Sequence, residues 1–252
     1  MKDLTKKTFI RILLFFSISL ITSFIFRYWI FINHKNIDIF QTLLYGMLSA
    51  IGPFLGGVFF MKKSKSEMSL LGNFNSRIVL VLFIPSIIFG IFGSKDFLIN
   101  RHISGVFIGL YISIYCLLEE FGWRGYLQSE LRGIKPILKY FIVSSFWYIW
   151  HLTFLSQASF LNEIVIFLIL FASSIGIGVM ADRSKSILYA SYFHILGNIC
   201  FLSSILIDNI DLKIRYFAVL IIIIINVIEF KKLKCKLKLE NDNHSLTNAE
   251  LE

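Results

Sequence analysis

The chain has 252 residues, of which 56% are hydrophobic and 16% charged, and its mean hydropathy is +0.74. A soluble domain of this length carries about a quarter charged residues, so the composition excludes an ordinary soluble protein and implies a polytopic membrane protein. The net charge of +9 does not point to nucleic acid, because the Lys and Arg residues fall in short loops between apolar runs and no soluble basic domain is left to carry that function.

The chain opens on Met1 to Lys7 and an apolar run at residues 9–32. That run is too long for the core of a signal peptide and lacks a small-residue cleavage site, so it reads as a retained first span. Seven further apolar segments follow, at residues 39–61, 78–93, 103–127, 137–155, 164–180, 187–207 and 216–230. Each is roughly long enough for a helix to cross about 30 Å of hydrocarbon, although the third and eighth are short. The expected fold is all-α, a membrane bundle of about eight helices.

Within the second segment Gly52 and Gly56 form a face of small residues, a helix-packing signal. Pro53 and Pro85 lie inside spans, where neighbouring helices satisfy the freed carbonyls, and Pro136 suits the first turn of the fifth segment. Cys116, Cys200 and Cys235 form neither a metal-ligand pair nor a disulfide framework, and read as small apolar residues. After the last span comes the basic run Lys231 to Lys238, a juxtamembrane anchor for anionic lipid. Residues 1–239 therefore form one transmembrane domain, and residues 240–252 a polar tail expected to be disordered. With the N-terminus placed in the cytoplasm, 19 of the 25 Lys and Arg residues fall on that side. The bias predicts a multi-pass cell-membrane protein with both termini cytoplasmic.

The fourth segment holds Glu119-Glu120-Phe121-Gly122-Trp123-Arg124. Ionised groups are costly in hydrocarbon and mark a functional site. Glu120 and Arg124 are one turn apart in the favourable order and can neutralise each other. Glu119 points about 100° away on an ideal helix and must find another partner. The fifth and seventh segments carry His151 and His194, and Asn198 shares a helix face with His194. From the cytoplasmic ends, Glu119, His194 and His151 lie roughly 10, 12 and 20 Å deep at 1.5 Å per residue. They can meet in the cytoplasmic half of one cavity. Proton-coupled transport also uses intramembrane Glu and His, but broken helices and inverted repeats are not evident.

Three motifs carry a resemblance. Glu119-Glu120 with Arg124, Gly125 and Leu127 resembles the first motif of the CPBP family, the CAAX-processing and bacteriocin-processing (Abi) intramembrane proteases. Trp147 with His151 resembles the second, with Trp where the family usually has Phe. His194 with Asn198 resembles the third. The resemblance covers about residues 103–207. It implies peptide hydrolysis in the membrane, with Glu119 and His151 activating water, His194 and Asn198 stabilising the oxyanion, and Glu120 and Arg124 supporting the site. The implied partners are the lipid bilayer and a peptide or membrane-protein substrate. No cofactor is favoured. A zinc ion held by Glu119, His151 and His194 is the alternative, although no HExxH occurs. A bacteriocin-immunity or scaffold role without catalysis is the rival class. Retention of all six motif residues favours an enzyme.

Overall fold

The computed structural model of the protein describes residues 5–33, 38–64, 66–74, 76–95, 100–152 and 159–249. The helices are α1 (Lys6–Asn33), α2 (Ile39–Ser64), α3 (Ile84–Phe92), α4 (Arg101–Glu120), α5 (Pro136–His151), α6 (Phe160–Ser184), α7 (Ile187–Gly197), α8 (Ser204–Asn209) and α9 (Leu212–Ala249). A 3-10 stretch, Ser76–Phe83, leads into α3, and π-helical stretches Phe121–Gln128 and Asn198–Leu202 extend α4 and α7. Among the described residues the only strand-like pairing is an isolated parallel bridge between Ser69 and Ser186. The protein is thus an all-helical bundle of the membrane type.

The expected apolar segments are found as helix over their described residues, and among the described residues four helices are long and apolar enough to cross a membrane. They run over Lys6–Trp29, Ile39–Ser64, Arg101–Gln128 and Phe160–Ser184. The other segments differ for local reasons. Pro85 lies at the start of α3, which has only nine residues after the 3-10 stretch. α5 has 16 residues and stops where Leu152 turns left-handed, at φ 57°. Residues 153–155, expected in that segment, lie outside those described. α7 ends in the π turn at Asn198. The eighth segment is longer than expected, because the backbone of α9 stays helical to Ala249. The tail expected to be disordered is helical over residues 240–249, in a sequence that carries no Gly or Pro after Phe230 to break the helix.

The outer faces of the long helices are apolar and exposed, as at Ile21, Leu55, Phe160, Leu161 and Leu220. A face of this kind is stable against hydrocarbon rather than water. Gly52 and Gly56 pack α2 on α1: Cβ atoms there would press on Thr22 and on Phe15 at 2.8 and 2.9 Å. On the other side of α2, a Cβ at Gly57 would come within 2.5 Å of the Phe121 carbonyl oxygen. The small residues of α2 thus let two backbones approach and fix the π stretch that follows Glu120.

The chain alternates between two ends. At one end, Arg11 Nε donates to Glu130 Oε1 at 3.1 Å, Lys185 Nζ to Glu67 at 2.8 Å, and Arg132 to the Ser64 carbonyl. The Lys185 ammonium holds the Glu67 carboxyl below the usual carboxylate range. At the opposite end, Lys95 N–H donates to the Asn209 carbonyl at 2.8 Å, and Ser94 N–H to that of Arg101 at 2.9 Å. The loops assigned to one side by the charge bias therefore gather at one end of the bundle.

Candidate functional site

The sequence starts a π-helical stretch immediately after Glu119 and Glu120, and a second one at Asn198. Such widened turns recur at functional sites because they re-aim side chains out of the regular helical register. Here they lie on the two helices that carry the acidic pair and the His/Asn pair. Glu119, Glu120 and Arg124 are all fully buried, and His194 and Asn198 are 2% and 7% exposed.

The Glu120–Arg124 pair forms as its spacing predicts, with Arg124 donating to Glu120 Oε1 at 2.9 Å. His194 Nδ1 lies 2.9 Å from the same oxygen, but the contact is not aligned as a hydrogen bond. α4 and α7 are therefore joined at one carboxylate oxygen. Glu119 turns elsewhere, again as expected. Its Oε2 accepts a hydrogen bond from the Trp147 indole Nε1 at 2.7 Å, while its Oε1 is buried without a hydrogen-bond partner.

Trp147 is the hub of the site. It is fully buried, and the Arg124 guanidinium lies 4.7 Å from its ring centre. The rings of His151 and His194 meet it edge-on, with centroids 5.4 and 5.0 Å away. His151 Nδ1 pairs with the Trp147 carbonyl at 2.8 Å. That contact needs the proton on Nδ1 and leaves Nε2 with its lone pair, as an acceptor. No hydrogen bond joins His151 to Glu119 among the described residues.

Asn198 lies one turn beyond His194. Its Nδ2 donates to Cys116 Sγ at 3.1 Å, and Cys116 also faces His194. The structure thus brings Glu119, Arg124, His151 and His194 around one indole, with Glu120 against Arg124 and His194 and Asn198 held beside them through a thiol.

Three residues at this site were not legible as site residues. Cys116 read as a small apolar residue, and its place one turn before Glu120 on α4 was the available signal. Trp147 read as an aromatic substitute, whereas its N–H makes a bond that Phe cannot make. Arg27 counted as a charge toward the end of the first apolar run. It lies within α1, donates to the Tyr115 hydroxyl and stacks at 4.2 Å over Trp150, which in turn packs on His151. A guanidinium inside a span was the signal.

The zinc alternative was tested on the donor set. Among the described residues no group of three or more His, Cys, Asp or Glu could hold a metal ion. Glu119, His151 and His194 do not converge. One oxygen of Glu119, Oε2, is held by the Trp147 indole N–H.

Residues 101–200 match the family model described as type II CAAX prenyl endopeptidase Rce1-like. The match covers all three motif-bearing helices and supports the resemblance to the CPBP family of CAAX-processing proteases. No curated protein and no solved structure matches the chain. The fold is a helical bundle of the membrane type, and residues 101–200 of it are similar to CAAX proteases.

Proposed function

We propose that the protein is an intramembrane endopeptidase that hydrolyses a peptide bond of a membrane-associated peptide or protein. The observation that carries the reading is the buried Glu119 carboxylate. One oxygen is pinned by Trp147 and the other accepts no aligned hydrogen bond, with the Tyr115 hydroxyl near the same carboxylate, in a site that two histidines reach from separate helices. Glu119 Oε1 takes a proton from water as the water oxygen attacks the scissile carbonyl, and His151 Nε2 is a second acceptor that orients the same water. His194 and the remaining Asn198 N–H donate to the oxyanion, where a donor in a dry site is worth about 3 kcal/mol of barrier. Glu119 then returns the proton to the leaving nitrogen. Glu120 and Arg124 hold α4 and α7 in register.

The site lies in the cytoplasmic half of a multi-pass protein in the cell membrane, with both termini in the cytoplasm. In support, Glu119 is nine residues from Gln128, roughly 13 Å at 1.5 Å per residue. The loops at that end are the ones rich in Lys and Arg.

A pair of variants tests this division of roles. Glu119→Gln keeps the shape and the Trp147 contact, so it is expected to leave folded yield near wild type and to abolish peptide cleavage. Arg124→Ala strands a buried carboxylate at a cost of several kcal/mol, about 3–5, and is expected to lower folded yield. Normal folding of Arg124→Ala together with misfolding of Glu119→Gln would reverse the assignment.

A further inference from the structure

We propose that the crevice between α6 and α7 is the subsite that takes an apolar side chain of the substrate, presented from the lipid beside the bond to be cut. The inference rests on the peptidase reading above and adds to it the direction of approach and the side-chain class. The crevice has a volume of about 130 Å³. An apolar cavity of roughly 150 Å³ holds one benzene-sized group. Ser173, Gly176 and Ile177 line it from α6, and Phe193, His194 and Gly197 from α7, with Trp147 of α5 completing the wall.

Gly176 is what opens it. A Cβ built there would meet nothing within 4 Å, and the residue lies on the exposed face of α6. Gly178, two residues on, is explained by packing, since its Cβ would press on Tyr140 at 2.5 Å. Glycine weakens a helix interior relative to alanine, and no neighbour requires it at 176. The space it leaves is open to hydrocarbon on one side and reaches the site on the other.

The second observation is at the inner wall. His194 is 2% exposed and lines the crevice, while its Nδ1 faces away to Glu120 Oε1 at 2.9 Å. Trp147, on the same wall, holds the Glu119 carboxylate by its indole N–H. A side chain seated in the crevice therefore brings its own backbone to the edge of the proposed catalytic groups. The walls carry no formal charge apart from what His194 can take up, and the only hydroxyl is that of Ser173. They suit an aliphatic or aromatic group and disfavour a charged one.

The test uses photo-crosslinking in phosphatidylcholine/phosphatidylglycerol vesicles. The probe is a lysine-flanked, leucine-rich peptide with one diazirine leucine, and a parallel arm carries a diazirine-acyl phospholipid. Peptide adducts are expected on Ser173, Ile177 or Phe193. Gly176→Leu, and independently Ser173→Phe from the same wall, are expected to cut them by about tenfold or more, as filling a hydrophobic pocket does. Ala172→Leu, on the exposed face of α6, is expected to leave them unchanged. Adducts scattered over the lipid-facing surface, adducts unaffected by Gly176→Leu in folded protein, or crevice labelling by the phospholipid that the peptide does not displace would each overturn the proposal. Cleavage of the same peptide is scored separately. Crevice labelling without cleavage supports the subsite and sinks the peptidase reading. Cleavage without crevice labelling sinks the subsite alone.

Discussion

At the scale of single residues, the site turns on which oxygen of which carboxylate is free. Glu120 has one oxygen shared between Arg124 and His194. Glu119 has one oxygen held by Trp147 and one that accepts no aligned hydrogen bond. On the proposed mechanism Trp147 selects the reactive oxygen, through a hydrogen bond that a phenylalanine could not make. Trp147→Phe keeps a ring against Arg124 and His194 but loses the donor. A hydrogen bond to a charged group is worth about 1.5–3 kcal/mol, which corresponds to one to two decades in rate. The variant is expected to fold normally and to lose roughly that much kcat with little change in KM. Undiminished kcat would show that the bond does not organise the base.

At the scale of elements, three helices are tied together near one end by a single carboxylate. Asp182 of α6 accepts from Gln128 Nε2 at 2.8 Å, from Lys139 Nζ at 2.5 Å and from Tyr140 Oη at 2.8 Å. Lys139 is only 8% exposed and would lose its counterion if the carboxylate were removed. Asp182 itself is 36% exposed, so water screens part of the loss. Asp182→Ala is expected to cost roughly 1–3 kcal/mol, read as a lower unfolding temperature in detergent. Tyr140→Phe, which removes one donor of the three, should cost less. Equal stability of all three proteins would contradict the tie. This network was not legible in advance, because its members come from separate segments and each reads alone as a polar residue at a span end. The helices themselves were legible, since long apolar runs have no alternative in hydrocarbon. Their ends were not. The π stretches and the left-handed stop at Leu152 depend on packing against neighbours, such as the approach of Gly57 to the Phe121 carbonyl.

At the scale of the whole molecule, one membrane-length helix, α4, carries the acidic pair, the shorter α5 and α7 bring the histidines to it, and apolar side chains cover the outside. The meeting of Glu119, Glu120, Arg124 and His194 followed from their being costly groups at similar depth. The placing of Cys116 beside them, and of Arg27 against Tyr115 and Trp150, did not, because a thiol is nearly apolar and a lone arginine within a span names no partner. The central claim is that Glu119 activates water for peptide hydrolysis. It is tested most directly with purified protein in vesicles containing a membrane-anchored peptide and water enriched in oxygen-18. The measurement is heavy-oxygen incorporation at the new carboxyl terminus, with wild type and Glu119→Gln side by side. The account predicts one heavy oxygen per cleaved bond in the wild type, and a loss of rate in Glu119→Gln of at least about three decades, as when an essential base is removed. Cleavage by Glu119→Gln at the wild-type rate, or no cleavage by folded wild-type protein, would contradict it.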